Sequence, residues 1–566
     1  MHISLPLGRL AAVVAFTLLS ACATGADFAS SPSIAKPNPA LGAFLAARYA
    51  ESLRDSSKAA QFYMQALQAD PQNHELLEDG FMAGLMAGSP AAAQLAPRLP
   101  DDALAALLRG NNAAMGGDYA TAANFYQNLP NDELTALIQP VLLAWVEFGQ
   151  GQEQAALARL QQSSQSGAFS SIYVLNAALI ADAAGDTKQA AQLYGQLQGM
   201  PPNLRVSQIL ASWYARHGDA QRANVILTTL VLTHPDLAMA LPQLRAQMYQ
   251  PVVSTPEQGL AEAYLTVAAS LSQPQALFLR TVFLRFALGL QPNLSSARLI
   301  LASSLLDSAT PNHKPSQAQI GNALAILAPV QPQDPLYPTV TVQAASLDAM
   351  IGKTDDAIEA LTKLIDTHPL NPGLLAVAGD IRRNAGQCNL ALPYYQKAIT
   401  LVGFPPPASA WPLLFDRGIC EDEAGNWAVA EPDIQLALKL APNQPYVLNY
   451  LAYRWAQQGK NLQQAQQMLI KAISLAPNDG ALLDSLGFVE LKLGNTQQAL
   501  TLLITAVQLA PSNAEVNAHL GDAFYQAGQS LQAVYQWDRA LVLEPDAALK
   551  ATLINQIKQA IGTMTP

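Results

Sequence analysis

The sequence predicts an all-α protein in which pairs of helices stack into a solenoid that ends in a C-terminal capping helix. The chain has 566 residues, which is more than one hydrophobic core can organise. Alanine, leucine and glutamine dominate the composition, and these residues lose little conformational freedom in a helix. Small residues and prolines also recur at a period near 34 residues, which indicates a repeat array.

The repeat is clearest near the C-terminus. Gly487 is followed 12 residues later by Ala499. Ala506 comes 7 residues after that, and Pro511 another 5. The same spacings recur in copies that begin at Ala47, Gly418 and Gly521. Less complete copies begin at Gly110, Ala144, Ala178, Ala211, Ala268, Ala345, Gly379 and Ala452.

This pattern predicts two antiparallel helices in each repeat. We expect the small residues to lie where the helices approach most closely, with Gly487 and Ala499 forming such a pair. Pro511 cannot continue a helix and therefore predicts the turn to the next repeat. A single helix pair cannot bury its apolar face, but stacked neighbours can.

The spacing resembles the tetratricopeptide repeat over most of the region from about Pro39 to Pro545. The resemblance implies a right-handed solenoid of helix-turn-helix repeats, with the first helix of each repeat lining a concave groove. A generic α-solenoid with another repeat length is the alternative.

The groove is the predicted partner-binding site. Residues of the first helices that point away from the Gly/Ala contact are the candidates, namely Phe415, Asn449, Tyr453, Asp484, Phe488, Asp522 and Tyr525. Aromatic anchors beside carboxylates suit protein recognition. Because this set is acidic or neutral, a basic or apolar segment is the expected ligand. The other interpretation is that Tyr453 and Phe488 simply pack between neighbouring helices.

The first residues predict a lipoprotein signal peptide over 1–21. Arg9 precedes a short apolar run that is too short to span a bilayer, and the run ends in Leu-Ser-Ala before Cys22. This ending resembles the bacterial lipobox, which implies lipidation (palmitate among the acyl groups) at Cys22. Ala23 after the cysteine implies sorting to the periplasmic face of the outer membrane. Residues 22–39 are small and polar and are interpreted as a flexible tether.

Proline-rich segments divide the rest of the chain. We expect an N-terminal array over residues 40–235 and an irregular helical segment with one or two degenerate repeats over 236–337. A regular C-terminal array is expected over 338–546, and the capping helix over 547–566.

Catalytic chemistry finds no support in the sequence. The fragment Gly352-Lys353-Thr354 has Leu347 where a phosphate-binding loop requires its first glycine. The net charge of −11 and the lack of a basic stripe argue against nucleic acid. We therefore expect a non-enzyme with no catalytic residues, cofactor, metal or small-molecule substrate.

Cys388 and Cys420 are predicted to lie in adjacent repeats, where a disulfide is geometrically feasible in an oxidising compartment. Two buried thiols that never meet are the alternative, and the sequence leaves the choice open.

A second resemblance concerns consecutive repeats in the C-terminal array. The segments LNYLAY at 448–453, DSLGF at 484–488 and HLGD at 519–522 resemble a group of proteobacterial tetratricopeptide lipoproteins, although Ala452 and Phe488 replace that group's glycine and tryptophan. Some members are adaptors that deliver cell-wall hydrolases to a periplasmic carboxyl-terminal processing protease. The resemblance implies that adaptor role. The alternative is a structural lipoprotein that helps to assemble an envelope secretion, pilus or export complex.

Overall fold

A computed structural model describes residues 39–130, 133–165, 169–271, 273–307 and 314–564. The predicted signal peptide, Cys22 and all of the tether except Pro39 lie outside the described residues. Within those ranges the secondary structure is helical and contains no strand. None of the helices found there is long and apolar enough to cross a bilayer.

The first part of the described chain, here called the N-terminal array, consists of antiparallel helix pairs. Its members are α1 (Pro39–Ser52) and α2 (Ser56–Ala69), α3 (His74–Ala87) and α4 (Pro90–Leu95), α5 (Ala103–Met115) and α6 (Tyr119–Gln127), α7 (Glu133–Gly149) and α8 (Glu153–Ser164), α9 (Ser170–Ala184) and α10 (Thr187–Gln196), and α11 (Leu204–Arg216) and α12 (Ala220–Thr233).

Glycine followed by aspartate joins the two helices of several pairs. Gly185 has φ +83°, a conformation that glycine adopts without steric cost. The carboxylate of the following Asp186 then accepts a hydrogen bond of 3.0 Å from the amide of Gln189 and caps the second helix. Asp118 and Asp219 cap α6 and α12 in the same way.

The middle of the chain departs from this regular pairing. A short helix, α13 (Leu241–Gln247), is followed by two helical hairpins. We call the first the inserted hairpin; it consists of α14 (Pro256–Ser270) and α15 (Leu277–Leu290). The second consists of α16 (Ser295–Leu306) and α17 (Gln317–Leu327).

The remaining helices form the C-terminal array. They are α18 (Tyr337–Met350) and α19 (Thr354–Thr367), α20 (Pro372–Asn384) and α21 (Cys388–Val402), α22 (Trp411–Glu423) and α23 (Trp427–Leu440), α24 (Pro445–Gln457) and α25 (Leu462–Leu475), α26 (Gly480–Leu493) and α27 (Thr496–Leu509), and α28 (Ala514–Gln526) and α29 (Ser530–Val542). The predicted capping helix is α30 (Ala547–Met564), which packs on α29 and buries Leu553 and Ala560.

The glycine of a repeat lies against a large side chain of the second helix. A Cβ atom on Gly487 would meet the side chain of Leu503 at 2.5 Å. The same relation holds for Gly521, whose added Cβ would lie 2.4 Å from the ring of Trp537. In both repeats the glycine accommodates the large buried side chain that follows 16 residues later. The small residue therefore makes room for a bulky partner, and at Gly418 the backbone oxygen of Ala430 also lies 3.3 Å from the added Cβ.

We expect Gly521→Ala to destabilise the protein. The added methyl must displace the buried Trp537, and overpacking of this kind costs about 1–3 kcal/mol, which exceeds the roughly 1 kcal/mol that alanine contributes through helix propensity. The matched control is Gly321→Ala in α17, where nothing lies within 4 Å of the added Cβ, so stability should rise. Denaturant unfolding measures both changes, and equal shifts for the two variants would contradict the proposed contact.

The inserted hairpin lies against the inner face of the N-terminal array. Helix α14 packs on α7 and α9, and α15 packs on α3 and α5, so the hairpin touches the first helix of several pairs. At Gly259 the backbone approaches so closely that a Cβ would overlap the ring of Trp145 at 2.2 Å. As a result, one hydrophobic core runs from Ala47 to Leu347.

Buried polar contacts fix this hairpin in place. The Asn111 side-chain oxygen accepts hydrogen bonds from Tyr126 at 2.8 Å and from Tyr264 of α14 at 3.0 Å. Arg205 of α11 forms an ion pair at 2.7 Å with Glu262, whose side chain is fully buried. The inner face of the N-terminal array is therefore filled by the protein's own chain.

Candidate partner-binding groove

Among the described residues, no helix fills the inner face of the C-terminal array in the way that the inserted hairpin fills that of the N-terminal array. Each helix from α19 to α30 packs mainly on helices that are one or two places away from it along the chain. The exception is a short 3₁₀ turn before α22, which also packs on α23. The first helices α20, α22, α24, α26 and α28 follow one another along this face, and α22 meets α24 through side-chain contacts. We call the surface they form the groove.

The predicted groove residues differ in how deeply they are buried. Phe415, Asn449, Tyr453, Phe488, Asp522 and Tyr525 are half-buried, whereas Asp484 is buried. Both imidazole–carboxylate distances between Asp484 and His519 are 3.0 Å. The carboxylate of Asp484 is thus committed to its neighbour.

Aromatic rings from three successive repeats come together in the groove. The rings of Tyr453 and Phe488 are 5.2 Å apart, and those of Phe488 and His519 are 4.8 Å apart. The Tyr453 hydroxyl donates a hydrogen bond to the exposed Glu515. Lys492 lies 5.0 Å from the centre of the Phe488 ring. We call Tyr453, Phe488 and His519 the aromatic cluster. The rings of Tyr453 and Phe488 are half-buried, so they pack between helices and keep an exposed part, whereas the ring of His519 is buried.

The charge of His519 depends on its surroundings. Burial alone would lower its pKa, but the charge and hydrogen bond of Asp484, with the charges of Glu515 and Asp522, raise the pKa to about 9. The imidazole is therefore protonated at neutral pH. A buried ion pair with Asp484 consequently joins α26 to α28 beneath the aromatic cluster.

Stability should fall as the pH rises through this pKa. The folded value of about 9 exceeds the unfolded value of about 6.5, so the contribution is fully present below pH 6.5 and is lost as the pH passes 9. The loss should reach roughly 3 kcal/mol, measured as the free energy of unfolding at pH 6 and at pH 9.5. The control is the double variant Asp484→Asn, His519→Gln, in which this slope should disappear. An unchanged slope in the double variant would assign the effect to other groups.

At each end of the groove, a predicted residue contacts other side chains of the protein. Asp522 accepts hydrogen bonds from Trp537 at 3.0 Å and from Gln556 of the capping helix at 2.9 Å. Burial raises the pKa of Asp522, although His519 opposes this shift. At the other end, Phe415 packs edge-on against Tyr450 at 5.6 Å.

Sequence reasoning did not include Tyr450, Glu515 or His519 among the candidate groove residues. Each is in a first helix, and His519 follows Asp484 by 35 residues, about one repeat. That separation is the signal that could have paired them. Arg454 likewise pairs at 2.6 Å with Asp422, which also accepts from Tyr450.

The structure places a disulfide between Cys388 and Cys420. Cys388 begins α21 and Cys420 lies in α22, so the bond joins adjacent repeats through Cα atoms 4.9 Å apart. Among the residues that the structure describes, no group of three histidine, cysteine, aspartate or glutamate side chains is arranged to hold a metal ion.

Comparison with known proteins agrees with the repeat pattern. Residues 43–73, 343–371 and 486–548 each match a family model described as a tetratricopeptide repeat. The chain is also 27% identical over 181 residues to the TPR repeat-containing protein PA4667 of Pseudomonas aeruginosa. That match covers 31% of this chain and only 29% of the relative.

Similarity to solved structures is limited to low sequence identity. The Cut9–Hcn1 hetero-tetramer of APC/C gives 15% identity, with 80% of this chain and 95% of the other covered, at a TM-score of 0.35. Yeast Tom70 gives 14% identity, with 82% and 96% covered, also at a TM-score of 0.35. Three segments of this chain therefore match the tetratricopeptide repeat, and the described helices form pairs that stack into the all-α solenoid predicted from the sequence.

Proposed function

We propose that this protein is a lipid-anchored scaffold on the periplasmic face of the outer membrane, and that its groove holds a segment of a partner protein. The observation that carries the proposal is the contrast between the two arrays. The inserted hairpin covers the inner face of the N-terminal array, whereas the groove of the C-terminal array is open and carries half-buried aromatic side chains.

The chemistry of the groove supports an apolar segment with a basic residue as its ligand. The faces of Tyr453 and Phe488 provide apolar contact and attract a cation. Asp484 is paired with His519, and Asp522 with Trp537 and Gln556, so the exposed Glu515 is the carboxylate best placed to meet a basic side chain.

The finer proposal follows from the resemblance of the repeats around the aromatic cluster. We propose that the scaffold brings cell-wall hydrolases to a carboxyl-terminal processing protease. Tethering both proteins at one membrane would raise their effective local concentration without any new contact.

Site-specific photocrosslinking in intact cells tests this proposal. A crosslinking phenylalanine analogue in place of Phe488 is expected to capture a periplasmic protease or a cell-wall hydrolase. The matched control replaces Tyr535, an aromatic residue of α29 that is 67% exposed outside the groove. Identical adducts at both positions would contradict binding in the groove. Capture of an outer-membrane pore protein at Phe488 would favour the alternative role in assembling an envelope complex.

The proposed anchor has a separate test. Cys22→Ser removes the thiol that would carry the acyl chains, and each buried CH₂ of those chains contributes about 0.8 kcal/mol to membrane binding. We expect the variant to leave the membrane fraction and to lose labelling by radioactive palmitate. A variant that still sediments with membranes and still carries the label would contradict lipidation at Cys22.

A further inference from the structure

A row of exposed apolar side chains runs along α1, the first helix of the N-terminal array. Its members are four residues apart, so they follow one side of the helix, and between 46% and 68% of each is exposed. Single apolar residues on a surface are ordinary, whereas a contiguous row of large ones marks an interaction surface. We call this row the apolar stripe; it consists of Leu41, Leu45, Tyr49 and Leu53, the last of which directly follows the end of α1.

The described part of the protein leaves the apolar stripe uncovered. Helix α1 packs substantially on α2 alone, and it buries Ala47 and Ala50 on the side opposite the stripe. The exposed residues of α2 are mostly polar, among them Gln61, Gln65 and Gln68. The stripe therefore belongs to α1 and the residue after it, and it does not continue onto the second helix.

The apolar stripe carries no net negative charge, although the chain is acidic. The net charge of the protein is −11, but Glu51 is the only carboxylate of α1. The side chain of Glu51 is 34% exposed and is neutralised by Arg48 at 2.9 Å. Membrane surfaces are commonly negative and repel acidic protein surfaces, so α1 offers a side that meets no such repulsion.

The position of the stripe along the chain indicates what covers it. Only residues 22–38 separate the proposed anchor at Cys22 from the start of α1 at Pro39. A flexible chain of this length spans about 23 Å on average and at most about 60 Å. These distances are similar to the length of α1, which is about 21 Å. An acyl anchor at Cys22 would therefore hold the stripe beside the bilayer at a high effective concentration.

We propose that the apolar stripe docks α1 on the membrane surface, with the helix axis parallel to the bilayer and the stripe at the boundary between headgroups and acyl chains. Tyr49 suits this depth because its ring is apolar and its hydroxyl is polar. The inference rests on the proposed anchor at Cys22, since four half-exposed side chains bury too little apolar area to hold a protein on a membrane alone.

The test attaches the chain to vesicles without relying on lipidation by the cell. The chain from Cys22 onward, the form that the proposed cleavage leaves, is coupled through its thiol to a maleimide lipid in phosphatidylcholine vesicles with brominated acyl chains. Cys388 and Cys420 form a disulfide and do not compete for the maleimide. A genetically encoded, environment-sensitive fluorophore replaces Ser52, an exposed residue on the side of the stripe. On coupling, its emission should shift to the blue and be quenched by bromine.

Two controls locate the contact. The same fluorophore in place of Gln65, an exposed residue of α2, should show neither change. The double variant Leu45→Gln, Tyr49→Gln should reduce the quenching at position 52 at least about fivefold, because the apolar contact with the bilayer is lost. Leu531→Gln, Tyr535→Gln makes the same change at two exposed residues of α29, also four positions apart, and should leave the quenching intact. Circular dichroism checks the fold of each variant.

Several results would overturn the proposal. They include unchanged emission on coupling, equal losses in the two double variants, and quenching that high salt abolishes, which would assign the contact to charge. A blue shift without vesicles would show that protein covers the stripe: a second copy if the shift grows with protein concentration, or residues 22–38 if it does not.

The anchor and the docking fail separately. Absence of palmitate labelling in cells would remove the anchor at Cys22, whereas absence of quenching in the maleimide-coupled chain would remove the docking alone.

Discussion

Replacing Glu262 with alanine is expected to lower the free energy of unfolding by about 3–5 kcal/mol. The carboxylate is fully buried and pairs with Arg205, so its removal leaves a guanidinium that is only 18% exposed without its counter-charge. The pair joins α14 to α11. We therefore expect amide hydrogen exchange to rise first in the inserted hairpin, and denaturant unfolding to give the size of the loss.

Two further variants identify the cause. The double variant Arg205→Met, Glu262→Leu removes both charges and should recover most of the stability, because well-packed apolar residues often replace a buried ion pair at little cost. Glu359→Ala breaks an ion pair with Lys363 in which both side chains are at least 70% exposed, and it should cause no measurable change. If the double variant is as unstable as Glu262→Ala, the loss arises from packing and not from an unpaired charge.

The helix pairs could be predicted because their signal is local and repeated. A glycine such as Gly487 and a proline such as Pro511 constrain only their own helix and turn, and the same constraint returns every 34 residues. The partner of the glycine was harder to predict. Leu503 is one of several apolar residues in α27, and only the three-dimensional packing selects it.

The filling of the N-terminal array could not be read from the repeat pattern. Tyr264 and Asn111 are 153 residues apart, so no periodic spacing relates them. Helix α14 is buried on nearly every side. Its sequence predicts an apolar helix but does not indicate which surface that helix packs against. The proline-rich surroundings predicted an irregular segment, but not where it would pack. This packing decides which of the two inner faces remains open.

The candidate groove could also be predicted only in part. The spacing predicted the first helices and a set of inward-facing residues that includes Phe488 and Tyr525, both half-buried in the structure. It could not distinguish Asp484, whose charge is used inside the protein, from Glu515, whose side chain is exposed. Burial and pairing depend on the neighbouring repeat, and these decide which carboxylate can meet a ligand.

Loss of the disulfide should destabilise the C-terminal array. The bond closes a loop with a sequence separation of 32 residues, for which the chain-entropy model gives about 3–4 kcal/mol. That loop contains an irregular connection between α21 and α22 with prolines at 405–407, where the usual short turn between repeats is absent. The two repeats are thus joined by a long connection, and the covalent link limits how far they separate when the array opens.

The double variant Cys388→Ala, Cys420→Ala provides the measurement. Alanine avoids placing a hydroxyl at two positions that are at most 7% exposed. The variant should unfold at lower denaturant than the parent chain, and reductant should shift the parent but not the variant. The core clusters divide near this point, since Cys420 packs with the preceding repeat and Leu414 with the following one. Hydrogen exchange should therefore increase most in α21 and α22, because these helices lose the link that holds the two clusters in contact. A parent chain that is insensitive to reductant, or a loss spread evenly over the whole array, would contradict this role.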